Sequence, residues 1–282
     1  MLTRRCTQRT LLLRPDEETN QIFLYCLAVA AKKHEIDVLF SLVMSNHHHT
    51  IIYDRNGTVA EFMEYLHGMV ARSMNCLRGR WENFWAKEEP GRLSLEELPD
   101  VLSKLAYAAT NPVKSHLVER AEQWPGFNTT EAFFSGASLT AVRPKHYFSE
   151  DGELPEEVTL TLSWPEHLGS VEVARGAVRE RIDAIEARAR QERVSARQTV
   201  LGARAARRQD FNSRPRTEEP RRGVRPRVAA CNAWARVEAL RRNRVFVAAY
   251  RVARALWLEG REAIFPPGTY LMRRFPGVVV RE

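Results

Sequence analysis

Cysteine is scarce in this sequence: Cys6, Cys26, Cys76 and Cys231 are the only four in 282 residues, and no two form a CxxC pair. That spacing excludes a zinc knuckle and a disulfide framework and points to a reducing compartment. Long hydrophobic runs are missing too. The longest, residues 22–31, falls far short of the roughly 20 apolar residues that span a bilayer, and Lys32-Lys33 close it. A soluble, cytoplasmic protein without a membrane partner is expected. There is no internal repeat, and the length suits one large domain or a catalytic domain with an extension.

Lysine is absent from residues 175–282, whose 26 basic residues are all arginine, set against 11 acidic ones. Residues 1–174 carry 17 Lys and Arg against 24 Asp and Glu, so the net charge of +8 belongs to the C-terminal part. Arginine makes bidentate contacts with phosphates, and this asymmetry suggests a nucleic-acid partner. On charge alone a solvated helix face explains it equally well.

Residues 2–13 mix β-branched, aliphatic and polar side chains and read as a strand ending at Arg14-Pro15. A helix follows, with Asp16-Glu17-Glu18 in its acidic first turn, Lys32-Lys33-His34 in its cationic last turn, and Ile22, Phe23, Cys26, Leu27 and Ala30 on an apolar face. Residues 37–44 and 47–53 form a hairpin around Ser45-Asn46. Thr58 and Glu61 have the spacing of a capping box for a second helix, lined by Val59, Phe62, Met63, Leu66, Val70 and Leu77. Residues 81–95 read as an edge segment and residues 98–110 as a third helix. This order predicts an α+β fold: a ferredoxin-like split βαβ antiparallel sheet with helices on one face, the other left for chemistry or nucleic acid. The expected domain runs over residues 1–143. A loop-rich connector over 144–172 leads to a mainly helical, arginine-rich extension over 173–282, with one long helix at 173–208 and a mobile Pro/Arg linker near 210–230.

Two motifs carry chemistry. His47-His48-His49 lies in a strand, where residues two apart share a face, so His47 and His49 stand side by side and can hold a divalent cation with a third ligand from elsewhere. Alone, the pattern reads better as a polar strand end with exposed histidines. His48 points the other way, towards the helices; a one-residue slip would bring it to the metal face instead. The second motif is Tyr107-Ala108-Ala109-Thr110-Asn111-Pro112-Val113-Lys114. If the helix persists to Asn111, Tyr107 and Asn111 share one face, although a residue before proline is biased away from helical geometry. Alone, it reads as a core tyrosine before an Asn-Pro helix stop.

Together the motifs resemble those of the HUH single-strand DNA nucleases, in particular the single-tyrosine transposases of the REP-associated type. These carry His-hydrophobic-His on a central strand and, later, Tyr-x-x-x-Asn-Pro-Val-Arg/Lys. The resemblance extends to Thr3-Arg4-Arg5, to the helix end Ala71-Arg72-Ser73-Met74-Asn75, to Phe84-Trp85 with Arg92, and to Leu117-Val118, and so covers roughly residues 1–130. His48 departs from the pattern, since that position is normally apolar.

What the resemblance implies is nucleophilic attack by Tyr107 on a phosphate of single-stranded or hairpin DNA, giving a 5′-phosphotyrosine and a free 3′-hydroxyl. His47, His49 and Asn111 would hold Mg²⁺ or Mn²⁺; imidazole favours manganese in affinity, and abundance would decide. Arg4, Arg5, Arg72, Arg92 and Lys114 become candidate phosphate contacts and Trp85 a platform for an unpaired base. Two other readings stay open: a hairpin-binding module of the same lineage without catalysis, and a metal-dependent hydrolase in which water replaces Tyr107. Monomer and homodimer are equally compatible with the sequence.

Overall fold

The computed structural model describes residues 1–149, 151–217 and 226–281. Its central element is a four-stranded antiparallel sheet built from β1 (Leu2–Arg5), β2 (Ile36–Met44), β3 (His47–Asp54) and β4 (Gly91–Arg92), in the order β2-β3-β1-β4. Helix α1 (Glu17–His34) connects β1 to β2, and α2 (Val59–Leu77) connects β3 to β4. The fold is therefore α+β, as expected.

Strand β1 stops at Arg5, well short of the predicted residue 13. Gln8 and Arg9 adopt positive φ of 51° and 62°, which ends the extended chain, and Thr10 N–H closes a tight turn on the carbonyl of Thr7. Leu11, Leu12 and Leu13 are buried after that turn rather than on a strand. At α1 Asp16 is the N-cap, one position before the first turn in which the sequence reading places it. Asp16 accepts from the Thr19 N–H at 2.9 Å and also receives the Arg78 guanidinium at 2.7 Å. The capping box foreseen at Thr58 does not form. Asp54 accepts the N–H groups of Thr58 and Val59 at 2.9 and 3.0 Å, which leaves the Thr58 hydroxyl to donate to the carbonyl of His34.

Helix α1 is apolar on nearly every side because it is covered on nearly every side. The sheet lies beneath it, α2 beside it, and a hairpin of β6 (Leu139–Val142) with β7 (Glu157–Leu160) above, where Tyr25 donates to the carbonyl of Pro155. β7 falls where only connector was expected.

The second face of the sheet is not bare, and this corrects the expectation of helices on one face. Past β5 (Ser94–Leu95), α3 (Leu98–Ala109) crosses that face, continued by the short α4 (Asn111–Lys114). Leu42, Met44 and Ile51 are buried in one cluster with Leu105, Ala109 and Val113. Helix α6 (Val171–Ser195) packs on α3. Apolar residues alternate on both sides of β2, and a strand so patterned must be covered twice. The edge of β2 is closed by the segment before α5 (Thr130–Ser135): Thr129 N–H donates to Ser41 O and Val43 N–H to Phe127 O.

The long helix expected over 173–208 breaks after Ser195. Arg197 has φ 52°, Leu201 and Gly202 donate their N–H groups to the carbonyls of His116 and Leu117, and α7 (Ala203–Arg208) starts afresh. Residues 218–225 of the predicted Pro/Arg linker lie outside the described residues. Beyond it, β8 (Val228–Ala229) pairs in parallel with β5, and α8 (Ala233–Leu258) follows. β9 (Ile264–Phe265) and β10 (Val279–Val280) pair over a small cluster with Ala253, Ala263 and Met272. This unit reaches α2 through Tyr270 and Arg274, which both bond Glu64. No helix among the described residues is long and apolar enough to cross a membrane.

Asp16 unites the cap of α1 with a guanidinium that is only 4% exposed. Asp16→Ala is expected to lower stability by roughly 2–4 kcal/mol, more than the ~1 kcal/mol of a simple cap, and Asp16→Asn by less. Urea unfolding of the three proteins measures this; equal stability of Asp16→Ala and the parent would show that Arg78 is satisfied without it.

Candidate active site

The pleat of β3 sorts its three histidines. His47 and His49 face α3, whereas His48 faces α1 and α2, as the alternation required. The rings of His47 and His49 lie 4.9 Å apart, centroid to centroid, at 90°. The Tyr107 ring stands 5.7 Å from that of His49, and the Asn111 amide nitrogen is 3.0 Å from His49 Nε2. Helix α3 ends at Ala109, and Asn111, although it precedes Pro112, opens the helical turn of α4. The chain turns on through Thr110, whose N–H donates to Ala106 O, so both Tyr107 and Asn111 reach the same imidazole.

Hydrogen bonding assigns the ring protons. The Asn46 side-chain oxygen lies 2.7 Å from His47 Nδ1 and can only accept, which puts a proton on Nδ1 and leaves Nε2 with the lone pair. His49 Nε2 accepts from the Asn111 amide, which puts its proton on Nδ1, a buried atom with no partner among the described residues. Burial, reinforced by Arg5, pushes His47 down to about 4; burial, with His47, His48 and Lys104 as neighbours, holds His49 well below its ordinary value. Both rings are neutral near pH 7, the form that ligates metal. Among the described residues no group of three His, Cys, Asp or Glu side chains is placed to hold a metal ion, and the further polar side chain against His49 is the Asn111 amide.

On the opposite face the sequence reading missed a partner. His48 Nε2 meets His67 Nε2 at 3.0 Å, and His48 Nδ1 lies 3.0 Å from Thr50 Oγ1, itself 3.0 Å from Ser41 Oγ. The three contacts form one continuous line whose direction of donation follows the tautomers of the two rings, and His67 Nδ1 is buried with no partner among the described residues. Burial, with His47 and Arg4 nearby, pushes His48 down to about 3, and burial holds His67 well below its ordinary value. His67 sits on the apolar stripe of α2, and that position was the signal available in the sequence.

The other candidates divide. Lys114 lies with its ammonium 4.4 Å from the centre of the Tyr107 ring. Arg5 pairs with His47 across the sheet and shares its face. Arg4 lies on the far face, 5.4 Å from the Trp85 ring, and Arg72 is on α2 over Tyr147. Arg92 is exposed on the edge strand. Trp85, put forward for base stacking, is 7% exposed and donates to the carbonyl of His67, so it has no open face. Two cations were overlooked. Lys104 holds its ammonium 5.3 Å from the Tyr107 ring centre, and Arg188 of α6 contributes with Lys104, after burial, to lowering the Lys114 amine. Lys104 precedes Tyr107 by three residues on a helix, so its proximity was readable. Arg188 arrives only through the packing of α6 on α3.

No known family model matches the chain, and no curated protein matches it either. A solved structure of a REP-associated tyrosine transposase bound to a REP hairpin is similar at 18% sequence identity, covering 45% of this chain and 73% of that one, with a TM-score of 0.35.

The depressed imidazoles set a pH dependence. An unfolded histidine takes up a proton below about 6.5, whereas the folded protein resists until about 4 at His47 and about 3 at His48. Stability is therefore undiminished above about pH 7 and falls as pH drops from about 6.5, by up to about 1.4 kcal/mol per pH unit for each such ring. Urea unfolding at pH 7, 6 and 5, with imidazole ¹⁵N spectra on the folded protein, checks this. Charged rings at pH 5.5, or unchanged stability down to pH 5, would contradict the assignment.

Proposed function

We propose that the chain is a DNA strand transferase of the HUH single-tyrosine kind, acting on single-stranded or hairpin DNA, with its sheet layer in the ferredoxin-like split βαβ arrangement. One observation carries the reading: a single imidazole, His49, stands against both the Tyr107 ring and the Asn111 amide, with His47 beside it. The two halves of the motif pattern, 58 residues apart between His49 and Tyr107, thus share one locus. A core tyrosine would not need two lysines at its ring.

In this reading Tyr107 attacks the scissile phosphorus. The bond from its oxygen to phosphorus forms, the bond to the 3′-oxygen breaks, the phenol gives its proton to solvent, and the departing 3′-oxygen takes one up. Lys114 and Lys104 hold the phosphate against the ring, and Arg5 adds positive charge beside His47. Asn46 keeps His47 in the tautomer whose Nε2 is free to bind. The donor set fits Mg²⁺ or Mn²⁺: two neutral imidazoles and an amide that presents its oxygen once rotated about its last bond. Such an ion, held by His47, His49 and Asn111, would withdraw charge from the phosphate. Because the imidazoles stay neutral well below pH 7, protons compete little with the ion.

The test is a denaturing gel with labelled hairpin DNA and Mn²⁺ or Mg²⁺. A covalent adduct is expected from the parent, none from Tyr107→Phe, and at least 100-fold less from His49→Ala, in line with the loss of a metal or charge-stabilising group. Cleavage that persists in Tyr107→Phe would favour a hydrolase; hairpin binding with no adduct would favour a binding module.

A further inference from the structure

Beside the tyrosine, α3 and the segment from β8 into α8 line an open pocket of about 210 Å³. Its polar lining consists of Asp100, Ser103, Lys104 and Arg236. Lys104 is the wall shared with the active site, since the same side chain lies against the Tyr107 ring. Asp100 is already occupied: one oxygen accepts the Cys231 N–H at 2.6 Å and the other the Glu97 N–H at 3.1 Å. Neither Lys104 nor Arg236 has a carboxylate within ion-pair distance among the described residues, although other arginines of the chain, such as Arg242 with Glu96, do. Arg236 also rides on the first turn of α8, a helix of 26 residues whose N-terminal dipole adds to the positive field.

We propose that this pocket is a second phosphate subsite, holding the backbone phosphate of the nucleotide next to the scissile one, with Arg236 and Lys104 as its cations and the Ser103 hydroxyl as an added donor. The inference rests on the DNA reading above and deepens it. Tyr107 and Lys114 take the scissile phosphate, Lys104 bridges the two positions, and Arg236 takes the neighbour. A residue from beyond position 230 thereby becomes part of substrate binding, and the arginine-rich region does more there than attract DNA at long range. Successive phosphates of one strand must lie on either side of Lys104, so the strand is led over α3 towards α8.

Fluorescence anisotropy with a labelled hairpin bearing a single-stranded flank, over a range of KCl concentrations, reads this directly on the full chain. Lys104→Gln and Arg236→Gln are each expected to weaken binding roughly tenfold at low salt. Each should also flatten the slope of log K against log salt by about 0.7, and Arg236→Lys should keep the slope. Thermal melts of the variants confirm that they fold. If the parent binds but Arg236→Gln changes neither affinity nor slope, the subsite is wrong and the DNA reading stands. If Lys104→Gln alone acts, its effect belongs to the tyrosine and the subsite is again wrong. If the parent binds no hairpin, the DNA reading fails and the subsite with it.

Discussion

Strand β3 faces two layers at once, and the period of two along its backbone divides the work. His47, His49 and Ile51 face α3; His48, Thr50 and Ile52 face α1 and α2. A shift of one residue would bury His47 and His49 among the apolar side chains of α1 and α2 and turn His48 towards Tyr107. The register is pinned on both sides: β1 pairs Arg5 with His47, and β2 pairs Met44 with His47 and Leu42 with His49. The buried line from His67 through His48 and Thr50 to Ser41 reinforces it, because a slip would strand each of those groups in the core. His48 thus has a buried partner in His67. An apolar residue there would have left His67 buried and alone.

The electrostatics of the site follow from its position between layers. Burial keeps the imidazoles neutral, while the charged groups gather around the tyrosine at the rim: Lys104 and Lys114 over the ring, with Arg188 of α6 near enough to affect Lys114. Neutral imidazoles lie inside and cations at the rim, where the Lys104 ammonium helps to lower the Lys114 amine.

Much of this could be read from the sequence, and the losses share a cause. Helices α1, α2 and α3, the β2–β3 hairpin and the face of each histidine follow from local patterns of short range. So did the meeting of His49 with Tyr107 and Asn111, because two motifs pointed to one site. What failed depended on contacts between distant segments. β1 ends where Cys6 bonds Asn46, α6 ends where Leu201 and Gly202 bond His116 and Leu117, and Trp85 is withdrawn into the core by His67. The cover on the second sheet face was legible in principle, since β2 is apolar on both sides.

The position of the C-terminal residues bears on why the chain is longer than its motif region. β8 joins the protein by pairing with β5, immediately before α3, and Cys231 caps Asp100 in the first turn of that helix. Helix α3 carries the tyrosine. Its start is therefore held by residues more than 120 positions further on, while its outer side is held by α6. Both attachments fix the helix against the sheet at the spacing that His49 and Tyr107 need. A helix packed by one face alone could shift by the width of a hydrogen bond without cost; held on two sides, α3 keeps Tyr107 at a fixed distance from His49. The arginine-rich region thus contributes structure as well as charge: its residues hold the start and the outer side of the helix that carries Tyr107.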